Sequence, residues 1–404
     1  MLSERSRRSF LRGTAGVAGT LGFSGGWAWP LVARGDGQRA DATPLITRAV
    51  AYLRGRQAAD GSWSVDRGEP GITALVVAAL LRSGQVTPAE PSVAKGLAYL
   101  ESFLGPDGGL SKGAHSSYST SVALLAFRDA NRAGRYDAAI KAAQQFLRAT
   151  QFDESNGTRP DNPYYGGAGY GPGGGPRPPQ PAAKSDAATK KAATPRAPRP
   201  DLSNTSFMIE ALRSTGVPAD DPALRRAVLF ISRCQNLKSE FNDQPWADKI
   251  NDGGFIYTVA NGGTSIAGKT PEGHPLSYGS MTYAGLKSMI YAGLTKDDPR
   301  VAAALGFIRK TYTVEANPGA GDRALYYYYV MFAKALAVLG EPTIVDGNGV
   351  AHDWRADLIS ALGKRQSKEG SWVNATDRFM EGDANLVTAY ALLALGHAAG
   401  SGKS

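Results

Sequence analysis

The chain has 404 residues, 42% of them hydrophobic, which is enough apolar surface for a substantial core in one large domain or in several ordinary ones. Its net charge of +9 is concentrated in two places: residues 1–40 carry six Arg against Glu4 and Asp36, and residues 171–200 carry six Lys or Arg against Asp186. The rest of the chain is neutral, which argues against a nucleic-acid partner, and the single Cys234 excludes an intrachain disulfide.

At the N-terminus, Arg7-Arg8 is followed at once by Phe10-Leu11 and by a Gly- and Ala-rich, weakly apolar stretch from Gly13 to Ala33. The pattern resembles a twin-arginine export signal, which implies a periplasmic or otherwise extracytoplasmic protein. No clean A-x-A cleavage site is evident, so residues 1–40 also fit a retained anchor that associates with the membrane.

From residue 41 onward one unit recurs six times: an amphipathic helix, a turn, then a helix that is apolar around most of its circumference. The amphipathic helices are predicted at Leu45–Ala58, Ser92–Leu104, Ala138–Gln151, Pro222–Gln235, Pro299–Tyr312 and Trp354–Gln366. Their apolar partners are predicted at Ile72–Ser83, Thr120–Asn131, Asn204–Ser214, Met281–Ala292, Leu325–Leu339 and Leu386–Leu395. A helix apolar on nearly all sides must be buried on nearly all sides, so the second set belongs inside the first. Burying every inner helix requires the array to close on itself, which predicts an all-α toroid of six hairpins, (α/α)6, over residues 41–404.

Two insertions interrupt the repeats. Residues 154–200 run through Gly171-Pro172-Gly173-Gly174-Gly175-Pro176 and an Ala/Lys/Pro tract, a composition expected of a disordered linker. Residues 238–279 contain Phe255–Val259 and then Asn261-Gly262-Gly263, expected as a short β-hairpin over the opening of the ring.

The turns inside the hairpins are Asp60-Gly61-Ser62-Trp63, Asp107-Gly108-Gly109-Leu110, Asp252-Gly253-Gly254-Phe255 and Glu369-Gly370-Ser371-Trp372. With Gln57 and Gln366 ahead of the first and last of them, they resemble the QW repeats of squalene cyclases and the related repeats of protein prenyltransferase β-subunits. The resemblance implies the toroid, with Gln and the aromatic residue tying neighbouring hairpins together. It also implies chemistry that can be sought residue by residue.

Squalene-hopene-type cyclases protonate an alkene with a D-x-D-D-T-A acid. Against Thr388-Ala389 the three acidic positions fall on Ala384, Leu386 and Val387, and no other repeat supplies more than one carboxyl, Glu69 or Asp201. Prenyltransferases use a zinc-bound thiol, yet Cys234 ends an outer helix and His115, His274, His352 and His397 show no ligand spacing. Neither a metal nor another cofactor is therefore expected. Glycosidases on this architecture need a carboxylate pair and aromatic platforms. Carboxylate candidates are Asp66, Asp201, Asp322, Glu381 and Asp383, and platform candidates are Trp63, Tyr164, Tyr165, Trp246, Tyr278 and Trp372. The run Tyr326-Tyr327-Tyr328-Tyr329 covers one helical turn, so its rings divide between the lumen and the helix interface. The lumen is expected to be bordered by Tyr278, Tyr283, Tyr326, Tyr327 and Tyr390, with Asp201, Asp322, Glu381 and Asp383 at the mouth. The function expected is the binding of an isoprenoid, lipid or glycan. The alternatives are a prenyl- or terpenoid-handling enzyme with a non-standard site, or a glycan-active (α/α)6 enzyme.

Overall fold

The computed structural model describes residues 41–63, 70–110, 115–171 and 199–400. The expected export segment, Asp66 and Glu69 lie outside these residues. Twelve of the helices alternate between an outer and an inner layer. The outer helices are α1 (Thr43–Gly55), α3 (Pro91–Glu101), α5 (Asp137–Ala149), α7 (Pro222–Arg233), α10 (Pro299–Thr311) and α12 (Trp354–Arg365). The inner ones are α2 (Pro70–Arg82), α4 (Ser116–Ala130), α6 (Leu202–Ser214), α9 (Gly279–Tyr291), α11 (Leu325–Leu339) and α13 (Ala384–Ala398). A four-residue helix, α8 (Ala247–Ile250), lies in the second insertion.

Local chemistry sets the helix starts. Asp201, Asp221, Asp298, Asp353 and Asp383 each accept a hydrogen bond from a backbone N–H in the first turn of α6, α7, α10, α12 and α13. Outer helices α1, α3, α7 and α10 also carry Pro in their first positions, where its missing N–H costs nothing. The inner helices are held by burial instead: every residue of α2 from Pro70 to Leu80 is buried. Each inner helix packs on the next, in the order α2, α4, α6, α9, α11, α13, and α13 packs back on α2. The ring is therefore closed, and the fold is an (α/α)6 toroid. Among the described residues no helix is long and apolar enough to cross a membrane.

The seams between hairpins follow one rule. A Gln just past an outer helix donates from Nε2 to a carbonyl in the first turn of the next outer helix: Gln57 to Ser92, Gln151 to Ala223, Gln235 to Arg300 and Gln366 to Leu45, at 2.7–2.9 Å. The same amide donates to the turn glycine carbonyl of Gly61, Gly166, Gly253 or Gly370. The Gln366 bond joins the last hairpin to the first. Thr73, Thr120, Thr205, Thr282 and Thr388 complete the joint from the inner helices, each accepting a turn N–H through Oγ1. Trp63 and Trp372 donate Nε1–H to Leu53 O and Leu362 O, so these tryptophans are packing elements of the joint. Only glycine fits the turn itself: a Cβ on Gly253 (φ +78°) would sit 2.3 Å from Ala303 O, and one on Gly370 (φ +93°) 2.4 Å from Arg48 O.

Two expectations are modified. The first part of the stretch expected as a linker is ordered: residues 154–156 form a 3₁₀ turn, and Gly166 supplies the turn of the third repeat, while residues 172–198 lie outside the described residues. The hairpin expected near residues 255–263 shortens to a single antiparallel bridge, Thr258 with Thr264, because left-handed Asn261, Gly262 and Gly263 curl the chain before a ladder can extend. The two-stranded sheet lies elsewhere, pairing Ile344–Val345 with Ala351–His352 between α11 and α12.

Candidate functional site

Because the inner helices share the Thr register, their lumen-facing residues fall in layers. The residue two before Thr is Gly71, Tyr118, Ser203, Ser280 or Leu386, and in α11, where Tyr329 stands in the Thr position, it is Tyr327. Two residues after Thr come Phe207 and Tyr390, one helical turn deeper. The rings meet across the axis. Tyr118 and Tyr327 approach Phe207 with centroids 5.2 and 6.4 Å away, and Tyr327 lies 6.1 Å from Tyr390. Tyr170, from the ordered part of the first insertion, leans over Tyr118 and His115 and is 44% exposed.

These tyrosines also form a network through their hydroxyls. Ser203 Oγ is 2.9 Å from Tyr327 Oη, Tyr118 bonds Tyr390, and Tyr170 bonds Tyr257 and Asn204. Burial raises the phenols of Tyr118, Tyr327 and Tyr390, so these three stay neutral donors. Around the same mouth end, Ser116, Ser117 and Ser119 of α4, Asn204 of α6 and Asn385 of α13 each hold a buried oxygen with no hydrogen-bond partner among the described residues. The result is a shallow aromatic bowl closed at its centre by rings that touch across the axis, with buried polar groups around them.

Two carboxyls border the bowl. Asp201 is buried; Asn204 donates to it through both N–H (2.8 Å) and Nδ2 (2.7 Å), and Tyr257 donates its hydroxyl. Burial outweighs these bonds and pushes its pKa up to about 6. Glu381 is also buried and shifted upward by burial. It accepts from Tyr327 N (2.8 Å) and Asn374 Nδ2 (2.6 Å), capping α11, whose own N-cap residue, Ala324, makes no cap. Asp383 caps α13, and Asp322 is exposed, its carbonyl accepting from Asn374. Three of the four candidate carboxylates are thus engaged as helix caps.

The candidate tyrosines separate in the same way. Tyr327 and Tyr390 line the bowl, and buried Tyr278 lies in the electrostatic reach of Asp201 and Tyr327. Tyr283 packs on Tyr328 and Phe332 between α9 and α11, and Tyr326 packs edge-on to Tyr329 near Arg365. Tyr328 and Tyr329 donate to Thr313 O and Val314 O, which fastens α11 to the loop before it. Cys234 is fully buried beside Val259 at the end of α7, and burial raises its thiol pKa. Tyr164 and Tyr165 pack on the first insertion, where Tyr165 donates to Glu154. Trp246 is buried.

Below Phe207 the lumen is filled by charge that reading the sequence helix by helix did not reveal. Glu210 accepts from Lys287 at 2.6 Å and from Lys334 at 2.7 Å, and Arg82 pairs with Asp129 at 2.6 Å and approaches Glu210 at 3.9 Å. Both lysine Nζ atoms lie 5.6 Å from the Phe207 ring, so that ring is the floor of the bowl and the roof of the ionic cluster. The signal is present once the repeats are aligned on Thr. Glu210 and Lys287 stand five residues beyond it and Lys334 five beyond Tyr329, while Arg82, Asp129 and His397 stand nine beyond.

The chain is thus a six-hairpin α/α toroid with an aromatic, hydroxyl-rich mouth and an ion-filled lower lumen. No protein-family model and no curated protein sequence matches it. Among solved structures, a type II terpene cyclase from Scytonema bound to its product is similar at a TM-score of 0.53 and 14% identity, over 89% of this chain and 97% of that one. A family 76 α-mannanase from Bacteroides thetaiotaomicron is similar at 0.52 and 10%, over 88% and 96%. A protein from Actinoplanes is similar at 0.50 and 17%, over 89% and 100%. At these identities the likeness shows the fold alone.

Proposed function

We propose that this chain is an exported binding protein that takes a hydroxylated, ring-containing ligand, a glycan, on the rim of the bowl at its mouth and does no cyclase or zinc chemistry on it. The aromatic, hydroxyl-bearing rim carries the reading. From Ser203 at the mouth to the Phe207 floor is one helical turn, about 6 Å, and beneath it the space is taken by ion pairs. A sugar ring would rest on the rim, where the Tyr170 ring is 44% exposed beside Tyr118 and Ser203 and Tyr327 carry hydroxyls. A C20 prenyl chain would find no tunnel. The carboxyls favour binding over turnover, since Asp201 and Glu381 already accept from the helix ends they cap.

A second reading, an enzyme acting on prenyl or glycan substrates, draws on the fold it shares with the terpene cyclase and the α-mannanase and on the raised pKa of Asp201. One experiment separates the two: titrating the full chain with a panel of soluble oligosaccharides and with geranylgeraniol in detergent, by calorimetry, while analysing the mixtures for product. The binding reading expects affinity for an oligosaccharide, weakened by Tyr118→Ala and Tyr327→Ala, with ligand recovered intact. Hydrolysed glycan, cyclised hydrocarbon, or binding of the prenyl alcohol alone overturns it.

A further inference from the structure

The ionic cluster beneath Phe207 is out of charge balance. Arg82, Arg128, Lys287 and Lys334 contribute cations from α2, α4, α9 and α11, and Arg213 of α6 joins Arg82, Arg128 and Glu210 around Tyr291. Opposite these five cations stand two carboxylates, Asp129 and Glu210. The sixth inner helix supplies His397, which faces Arg82, Lys334, Glu210 and Lys287 and is pushed down to about 3 by burial, so it is neutral and offsets nothing. Lys287 and Lys334 are essentially without solvent exposure. Arg128 and Arg213 are part-exposed, but Lys287, Lys334 and the nearly buried Arg82 stand against Asp129 and Glu210 alone, a surplus of one, and a buried ion left without a counter-charge costs several kcal/mol.

The hydrogen bonds show the same shortage of acceptors. Each lysine ammonium has three N–H groups and, among the described residues, gives one to Glu210. Arg213 Nε and His397 Nε2 are shut off from solvent and have no hydrogen-bond partner among the described residues. The missing element is an acceptor that carries negative charge. Solvent reaches the cluster's edge at the end away from the mouth, where the Arg82 and Arg128 side chains are 10% and 24% exposed. The one internal remedy is for Lys334 to lose its proton. Its pKa is pushed down to about 8 by burial and by the neighbouring cations, against the pull of Glu210, so it remains mostly charged at neutral pH.

We propose that the lower lumen is a binding site for a small inorganic anion, chloride or a simple oxyanion such as phosphate, ringed by Arg82, Lys334 and His397 and entered past Arg128. The site is separate from the mouth, with Phe207 between them. It is tested on the full chain by thermal unfolding at fixed pH and ionic strength, replacing sodium gluconate stepwise with chloride, phosphate or sulfate. Gluconate, a bulky organic anion, is the reference. The expected result is that at least one small anion raises Tm with a saturable onset and then in proportion to the logarithm of its concentration. Lys334→Met should weaken the apparent affinity about tenfold or abolish the response. If that variant does not fold, Arg128→Gln at the exposed rim decides, with a several-fold weakening expected. Equal Tm in gluconate and in every small anion overturns the proposal. So does a response that is unchanged in both variants, which would place the anion on the outer surface.

Discussion

Asp201 gives the sharpest quantitative test, because its energetics turn on one proton. Its carboxyl titrates near 6 in the folded chain against an ordinary 3.8, and burial is the cause. Between about pH 4 and pH 6 the folded chain therefore keeps a proton that the unfolded chain has released. Stability must fall as pH rises through that window, and the loss is complete above the folded pKa. At about 1.4 kcal/mol per unit, a shift of roughly two units is worth about 3 kcal/mol. With Asp201 only 3% exposed, little of this is screened by solvent. Asp201→Asn removes the titration while keeping the size and one acceptor oxygen. Its amide end must face one of the donors now supplied by Asn204 and Tyr257, a pH-independent cost of about 1–2 kcal/mol. Urea unfolding of both proteins from pH 4 to pH 8 cancels every other group by subtraction. The variant should gain about 3 kcal/mol relative to the parent across the window. Curves that stay parallel to within about 0.5 kcal/mol would refute the claim that burial dominates this carboxyl.

Three further outcomes are expected. Gln366→Leu removes the bonds from Nε2 to Leu45 O across the seam and to Gly370 O in its own turn, together with those Oε1 accepts from Arg48, and should cost about 2 kcal/mol or more in denaturant unfolding. Gly253→Ala forces a Cβ to within 2.3 Å of Ala303 O in left-handed backbone and should cost about 3 kcal/mol or more; a neutral effect would show that the turn is not pressed against α10. Replacing Arg7 and Arg8 by Lys should leave the protein in the cytoplasm, read by cell fractionation, and unchanged localisation would remove the export proposal.

Much of the architecture was legible because repetition averages out local ambiguity. Six apolar helices in one register demand a closed ring, and Gln57, Trp63, Gln366 and Trp372 were expected as joints because their motif resembles the QW repeats. The third joint was harder to see. Gln151 finds its glycine fifteen residues on, at Gly166, inside a stretch whose Gly and Pro content resembles a linker. Site residues were less legible, because a carboxylate that caps a helix and one that serves chemistry look alike in sequence. Asp201 and Glu381 were candidates on composition, and only their partners, Asn204 and the backbone N–H of Tyr327, show what they hold. The tyrosine run divided as helical geometry requires, but which ring faced the axis depended on α11 rotating to bring Lys334 to Glu210. That ion pair was invisible from either helix alone: a lone Glu in α6 and lone Lys residues in α9 and α11 acquire meaning only as a set.

The Gln366–Leu45 bond also changes what losing a seam means. In an open array, breaking one joint frees two ends, which drift apart. In a ring the remaining joints keep the broken faces opposed at high effective concentration, so the gap is re-formed as an intramolecular event. The first cut should therefore be partly absorbed by the rest of the molecule. A second cut, at Gln151 for example, leaves two arcs with no such tether across either gap beyond the chain itself. Losses at distant seams in this toroid should then be coupled although no residue at one touches the other, so cooperativity between remote sites arises here from topology and not from contact.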